Sequence, residues 1–169
     1  MLRQGNDMTR AMSAKSGSLI GLGAAALIAC AVPRIALAQA EGGLYIADNR
    51  SSFERAAEQG LARNPAGQRF FVLALPPNTG ALTTGATPSA AAVRERVVAA
   101  GGLLLVCQRD VDNGKVKAAT LAPGVVAVRG FPPRGSNAIP RGERYYPDED
   151  RSVLPQDNRS LKRLRKACS

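Results

Sequence analysis

The 169-residue chain contains no histidine and no tryptophan, and aromatic residues make up only 4% of it. It also has no Cys-x-x-Cys pair, no Walker-type phosphate loop and no Gly-x-Gly-x-x-Gly loop. Histidine is the side chain that most often acts as a base or metal ligand near neutral pH, so few groups compete with cysteine for a chemical role. No metal site and no cofactor are predicted.

The first 38 residues have the pattern of a secretory signal peptide. Arg3, Arg10 and Lys15 form a positive segment ahead of an apolar run of 14 residues at 19–32. Ala36-Leu37-Ala38 then supplies the small residues of a cleavage site, and Ala38-Gln39-Ala40 supplies a second one. The sequence therefore predicts an exported protein, periplasmic or secreted, that begins at residue 39 or 41.

Two alternatives to simple cleavage stay open. The apolar run could remain as a membrane anchor, although a spanning helix needs about 20 apolar residues. Leu27-Ile28-Ala29-Cys30 also matches the lipobox of bacterial lipoproteins, in which Cys30 would become a lipidated N-terminus.

Cleavage after Ala38 leaves 19 basic and 12 acidic residues, a net charge of +7. Such a charge attracts anionic partners in a salt-dependent way. Nucleic acid is not expected outside the cytoplasm, so an anionic membrane surface or envelope polymer is the better candidate. Solvated surface charge without any partner is the plainer interpretation.

Short apolar runs alternate with helical patterns between residues 39 and 130. Alternation of this kind predicts an α/β domain with a mainly parallel, four-stranded sheet and flanking helices. The predicted strands are 42–47, 68–75, 103–107 and 125–128, and the predicted helices are 51–63 and 88–100, with a further helical turn at 116–121.

The chain changes character after residue 130. Residues 131–156 are rich in proline and predict an irregular arm, in which Asp148-Glu149-Asp150 is expected to be a solvated face. Residues 157–169 predict a strongly basic helix with Leu161 and Leu164 on one side. That helix could lie on an anionic membrane or dock on the domain with its basic side in water.

Cys107 is the main candidate for chemistry. It ends the apolar run Leu103 to Cys107, and active groups of open α/β sheets lie at the carboxyl ends of strands. Arg109, two residues on, could favour a thiolate on the same side. Three states stay open for Cys107: a reactive thiol, an inert core thiol, or a structural disulfide with Cys168.

Asp48, Asn49 and Arg50 are the other candidate site residues. They follow the first predicted strand, and strand ends converge at one edge of a parallel sheet. Capping of the next helix is the alternative role for these residues.

The run Leu103-Leu104-Leu105-Val106-Cys107, with Leu121-Ala122-Pro123-Gly124-Val125 leading into the next strand, resembles the DsrE/DsrF-like (TusD-like, YchN-like) family over about residues 42–128. The resemblance implies a small α/β domain and a strand-end cysteine that carries a persulfide between proteins. It assigns Cys107 as sulfur acceptor and implies a protein partner or a homo-oligomer. The well-known relay members are cytoplasmic, whereas this chain carries an export signal.

Two functions follow as hypotheses. The first is an exported DsrE-like protein that handles thiols or sulfur through Cys107. The second is a non-catalytic periplasmic binding or scaffold module whose basic tail meets an anionic partner. Whether the protein is an enzyme stays open.

Overall fold

A computed structural model describes residues 42–64 and 67–169. The proposed signal peptide, Cys30 and both cleavage sites lie outside these residues. The described part contains one four-stranded sheet, all parallel, in the order β1-β2-β3-β4. Its strands are β1 (Leu44–Ala47), β2 (Phe70–Ala74), β3 (Gly102–Cys107) and β4 (Val125–Val128). The predicted α/β fold with a parallel sheet is therefore confirmed.

Two longer helices connect the first three strands. Helix α1 (Phe53–Arg63) begins at Ser52, whose side chain accepts a hydrogen bond from the Arg55 amide. Helix α2 (Pro88–Ala99) begins at Thr87, which caps the Ala90 amide, and has proline in its first turn. Both starts follow from the sequence, because serine and threonine satisfy amides that a helix leaves free and proline suits the first helical position.

Each strand divides its side chains between two separate cores. In β2, Phe70 and Val72 face the core formed with α1 and α2, whereas Phe71 and Leu73 face the opposite core. This alternation is the two-residue period of a strand. Because β2 is buried along its whole length, it appears in the sequence as an unbroken apolar run.

The C-terminal segment covers the second face. Helix α4 (Asn158–Ala167) begins at Asp157, which caps the Ser160 amide, and packs Leu161 and Leu164 against the sheet. The arm ahead of it is largely irregular and adds Tyr145 and Leu154 to the same core. Both faces of the central strands β2 and β3 are thereby largely removed from water, whereas the edge strand β4 stays partly exposed.

The connection after β3 contains a short helix and a 3-10 turn. A short helix, α3 (Gln108–Asp112), follows Cys107 without a loop, and the Gln108 side chain donates to Asp112 Oδ1 at 2.7 Å. The predicted turn at 116–121 is present as a 3-10 turn at Ala118–Thr120. No helix of the described residues has the length and apolar character to cross a bilayer.

Gly102 is required where β3 enters the sheet. A Cβ atom there would lie 2.6 Å from both Phe70 Cζ and Val97 Cγ1. We expect Gly102→Ala to lower the free energy of unfolding by about 1–3 kcal/mol, because the packed neighbours must move. Urea denaturation measures the change.

Gly80→Ala is the matched control, since a Cβ atom at Gly80 would meet nothing within 4 Å. Equal stability of the two variants would contradict the packing described here.

Candidate functional site

Cys107 and Cys168 form a disulfide that joins the end of β3 to the end of α4, with a Cα–Cα distance of 5.1 Å. Cys107 is 0% exposed and Cys168 is 2% exposed. Of the three states expected for Cys107, the structure holds the disulfide. A sulfur-acceptor role would therefore need a state in which this bond is open, because the thiolate is the reactive form of cysteine.

Arg109 is directed to the end of α4 and to Asp110. Its Nη2 atom lies 3.5 Å from the carbonyl oxygen of Ala167, and its Nε atom lies 3.7 Å from Asp110 Oδ1. A cation at the last carbonyls of a helix is a stabilising arrangement. In the disulfide-bonded state Arg109 helps to hold the end of α4 against the domain. It has no thiolate to activate, because the sulfur of Cys107 is bonded to Cys168.

The carboxylate of Asp110, in α3 three residues after Cys107, is fully buried. Lys115 Nζ lies 3.3 Å from its Oδ1 atom, yet neither oxygen accepts a hydrogen bond from the described residues. The backbone carbonyl of Asp110 accepts from the amides of Lys115 and Val116. Asp110 therefore holds the loop that follows α3, through its ion pair with Lys115 and its carbonyl bonds to the amides of Lys115 and Val116.

Asp48, Asn49 and Arg50 form the turn after β1. Asp48 Oδ1 accepts from the amides of Arg50 at 2.8 Å and Ser51 at 3.1 Å. This is a typical aspartate turn, so Asp48 stabilises the turn and Ser52 takes the helix cap. The side chains of Asn49 and Arg50 are exposed.

The structure does not bring this turn together with Cys107. Strand β2 lies between β1 and β3, which separates their ends by roughly 10 Å. The turn instead meets Asn78, which follows β2: Asn78 Nδ2 donates to the Asp48 carbonyl at 2.8 Å, and its Oδ1 accepts from the Phe53 amide at 3.2 Å. A polar cavity of about 360 Å³ lies against these residues.

A buried ion pair fixes the arm to α4. Arg165 is 1% exposed, and its two terminal nitrogens contact the two carboxylate oxygens of Glu149 at 2.7 and 2.5 Å. Arg165 Nη1 also donates to the carbonyl of Arg129 at 2.8 Å, while Tyr146 lies with its ring 5.1 Å from the guanidinium. We call Arg129, Tyr146, Glu149 and Arg165 the Arg165 cluster. The expectation that Asp148-Glu149-Asp150 is a solvated face is wrong for Glu149.

Arg129 of the cluster also forms an ion pair with Asp148, which lies outside the cluster, and both residues line a cavity of about 410 Å³ beside β4. Arg129 Nη2 lies 2.6 Å from Asp148 Oδ1. The hydrogen bond lowers the pKa of Asp148 and raises that of Arg129. Burial raises the pKa of Tyr146, whose hydroxyl donates to the Gly130 carbonyl at 3.0 Å. These charges and this donor therefore persist at neutral pH.

The charged side chains on the solvent side of α4 are all cationic. Arg159, Lys162, Arg163 and Lys166 are exposed and recur at i, i+3, i+4 and i+7, which places them on one side of the helix. We call these four residues the basic face of α4. Within the described residues none of them has a carboxylate within 4.0 Å, although Arg163 Nη1 donates to the Leu44 carbonyl at 3.4 Å.

The burial of Arg165 and its pairing with Glu149 were not predicted from the sequence. Arg165 lies four residues after Leu161, a spacing that places the two on the same, packed side of the helix. That position could have identified it as buried. In the described part of the chain, no three His, Cys, Asp or Glu side chains come together as a metal site.

The disulfide predicts a specific pattern of thiol labelling. Neither Cys107 nor Cys168 should react with iodoacetamide in the folded, unreduced protein, because both sulfurs are bonded and buried. Both should react after reduction in denaturant, as measured by mass spectrometry. Labelling of Cys107 in the folded, unreduced protein would instead revive the sulfur-acceptor hypothesis.

The Glu149–Arg165 pair predicts a large loss of stability on removal of one charge. Glu149→Gln should lower the free energy of unfolding by about 3–5 kcal/mol, because it leaves the buried Arg165 charge without its partner. Asp148→Asn is the control, since Asp148 is 74% exposed and its ion pair is screened by water. Urea denaturation compares the two, and equal effects would refute a special role for Glu149.

No protein-family model, no curated protein and no solved structure matches the chain. The resemblance of the residues around Cys107 to the DsrE/DsrF-like family therefore stays a prediction. The parallel sheet does not decide the function, because one fold serves many activities.

Proposed function

We propose that this protein is an exported, non-catalytic binding module that rests on an anionic membrane surface through the basic face of α4. The observation that carries the proposal is the row of four exposed cations on one side of a ten-residue helix, with no carboxylate paired to them in the described residues. Isolated surface charges are ordinary, but an unpaired row of one sign forms a positive field that attracts anions.

The packing of α4 decides how such binding would work. Leu161 and Leu164 are buried against the sheet, and the disulfide holds the end of the helix there. The helix therefore has no apolar side left to enter the bilayer, and binding would be electrostatic. Near an anionic leaflet each Lys or Arg contributes about 1 kcal/mol, so four contribute roughly a thousandfold in partition.

The disulfide also favours binding over sulfur handling. A persulfide carrier needs a free and accessible thiol, whereas Cys107 is bonded and 0% exposed. A disulfide of this kind is typical of proteins in oxidising compartments and supports the predicted export.

Vesicle binding tests the proposal. The exported protein, with its disulfide intact, should bind vesicles that contain phosphatidylglycerol and should not bind pure phosphatidylcholine. Arg159→Gln/Lys166→Gln should weaken sedimentation with the anionic vesicles by about 25-fold at low salt, because two cations of the basic face are lost. Added salt should abolish the difference.

Arg63→Gln/Lys117→Gln is the matched control. It removes the same charge from exposed positions on the opposite side of the sheet, at the end of α1 and in the loop after β3. It should change binding by less than about twofold. The proposal is refuted if both double variants bind alike, or if the protein binds soluble polyglutamate and ignores anionic vesicles.

A further inference from the structure

An apolar groove of about 400 Å³ runs along the flank of α4. One wall is formed by Phe131, Pro132 and Ile139 of the arm, and the other by Leu161 and Lys162 of the helix. Phe131 is 47% exposed, one of two large hydrophobic side chains of the described residues with so much free surface. The volume falls within the range of small-molecule sites, about 300–1,000 Å³.

Hydrogen bonds hold both ends of the arm wall against α4. The Phe131 amide donates to Ser169 Oγ at 2.8 Å, and that hydroxyl donates to the Arg165 carbonyl at 2.7 Å. At the other end, Arg144 Nη1 donates to Asn158 Oδ1 at 2.5 Å. The groove is therefore formed before any ligand arrives, which lowers the entropic cost of binding.

The polar groups at the groove leave an excess of positive charge. The carboxylate of Glu143 lies 3.2 Å from Arg151, which neutralises it. Arg165 is neutralised by Glu149. Lys162 has no carboxylate partner in the described residues, and Arg144 is bonded only to neutral acceptors there. An apolar groove with a cationic edge is complementary to an anionic amphiphile.

We propose that this groove binds a fatty acid, with the acyl chain against Phe131 and Ile139 of the arm and the carboxylate at Lys162. Each methylene of an acyl chain that is buried in the groove stabilises the complex through the hydrophobic effect. The carboxylate accepts a charge-assisted hydrogen bond from the ammonium group. This proposal rests on the proposed function only in that Lys162 also belongs to the basic face of α4.

Fluorescence titration with cis-parinaric acid and its methyl ester tests the proposal in the exported, disulfide-bonded protein. The acid should bind about tenfold more tightly than the ester, because only the acid pairs with Lys162. Lys162→Gln should remove that difference and leave the ester affinity unchanged. Phe131→Ser should weaken both ligands by about tenfold.

Two controls separate this site from other effects. Val98→Ser removes a similarly exposed side chain, 50% exposed on α2, and should leave both affinities unchanged. Arg159→Gln/Lys166→Gln should lower vesicle binding while the acid still binds more tightly than the ester, because Lys162 is kept, so the groove and the membrane proposal can fail separately. Thermal unfolding of each variant checks that it is folded.

The proposal is overturned if acid and ester bind the parent protein equally. It is also overturned if folded Phe131→Ser and Val98→Ser affect binding alike.

Discussion

The structure depends on how the second face of the sheet is kept from water. Helices α1 and α2, which join consecutive parallel strands, lie together on one face and form one core. The other face still presents Phe71, Leu73 and Leu105, which are fully buried in the folded chain. Water-exposed leucine and phenylalanine would cost about 1.5–3 kcal/mol each. The arm and α4 must therefore return to this face for the domain to be stable.

Three kinds of contact hold the arm and α4 against the second face of the sheet. Leu161 and Leu164 supply apolar burial, the disulfide joins α4 to β3 covalently, and the Arg165–Glu149 pair ties the helix to the arm. The apolar contact alone is small, since α4 contributes few apolar side chains to it. The buried Arg165 also fixes where α4 packs. Its charge is paired only in the position where it bonds Glu149 and two backbone carbonyls at once.

Local patterns predicted most of the sheet and the longer helices, because strand and helix periods are local properties. The run before Cys107 and the Thr87-Pro88 start of α2 carry their structure in adjacent residues. The Arg165 cluster could not be predicted in this way. Which carboxylate of Asp148-Glu149-Asp150 is buried depends on Arg165 of α4, 16 residues after Glu149. The disulfide stayed one of three alternatives because a spacing of 61 residues encodes no distance in the fold.

The same packing shapes both proposals. A basic amphipathic helix free in solution could insert leucines into a bilayer and bind it strongly. Here the sheet has already buried the leucines of α4, and the disulfide prevents their release. The surface that α4 leaves exposed to solvent consists of its basic face and the apolar groove beside Phe131. Recognition through such a surface would be weak per contact, reversible and sensitive to salt, because it depends on screened charge and one apolar groove.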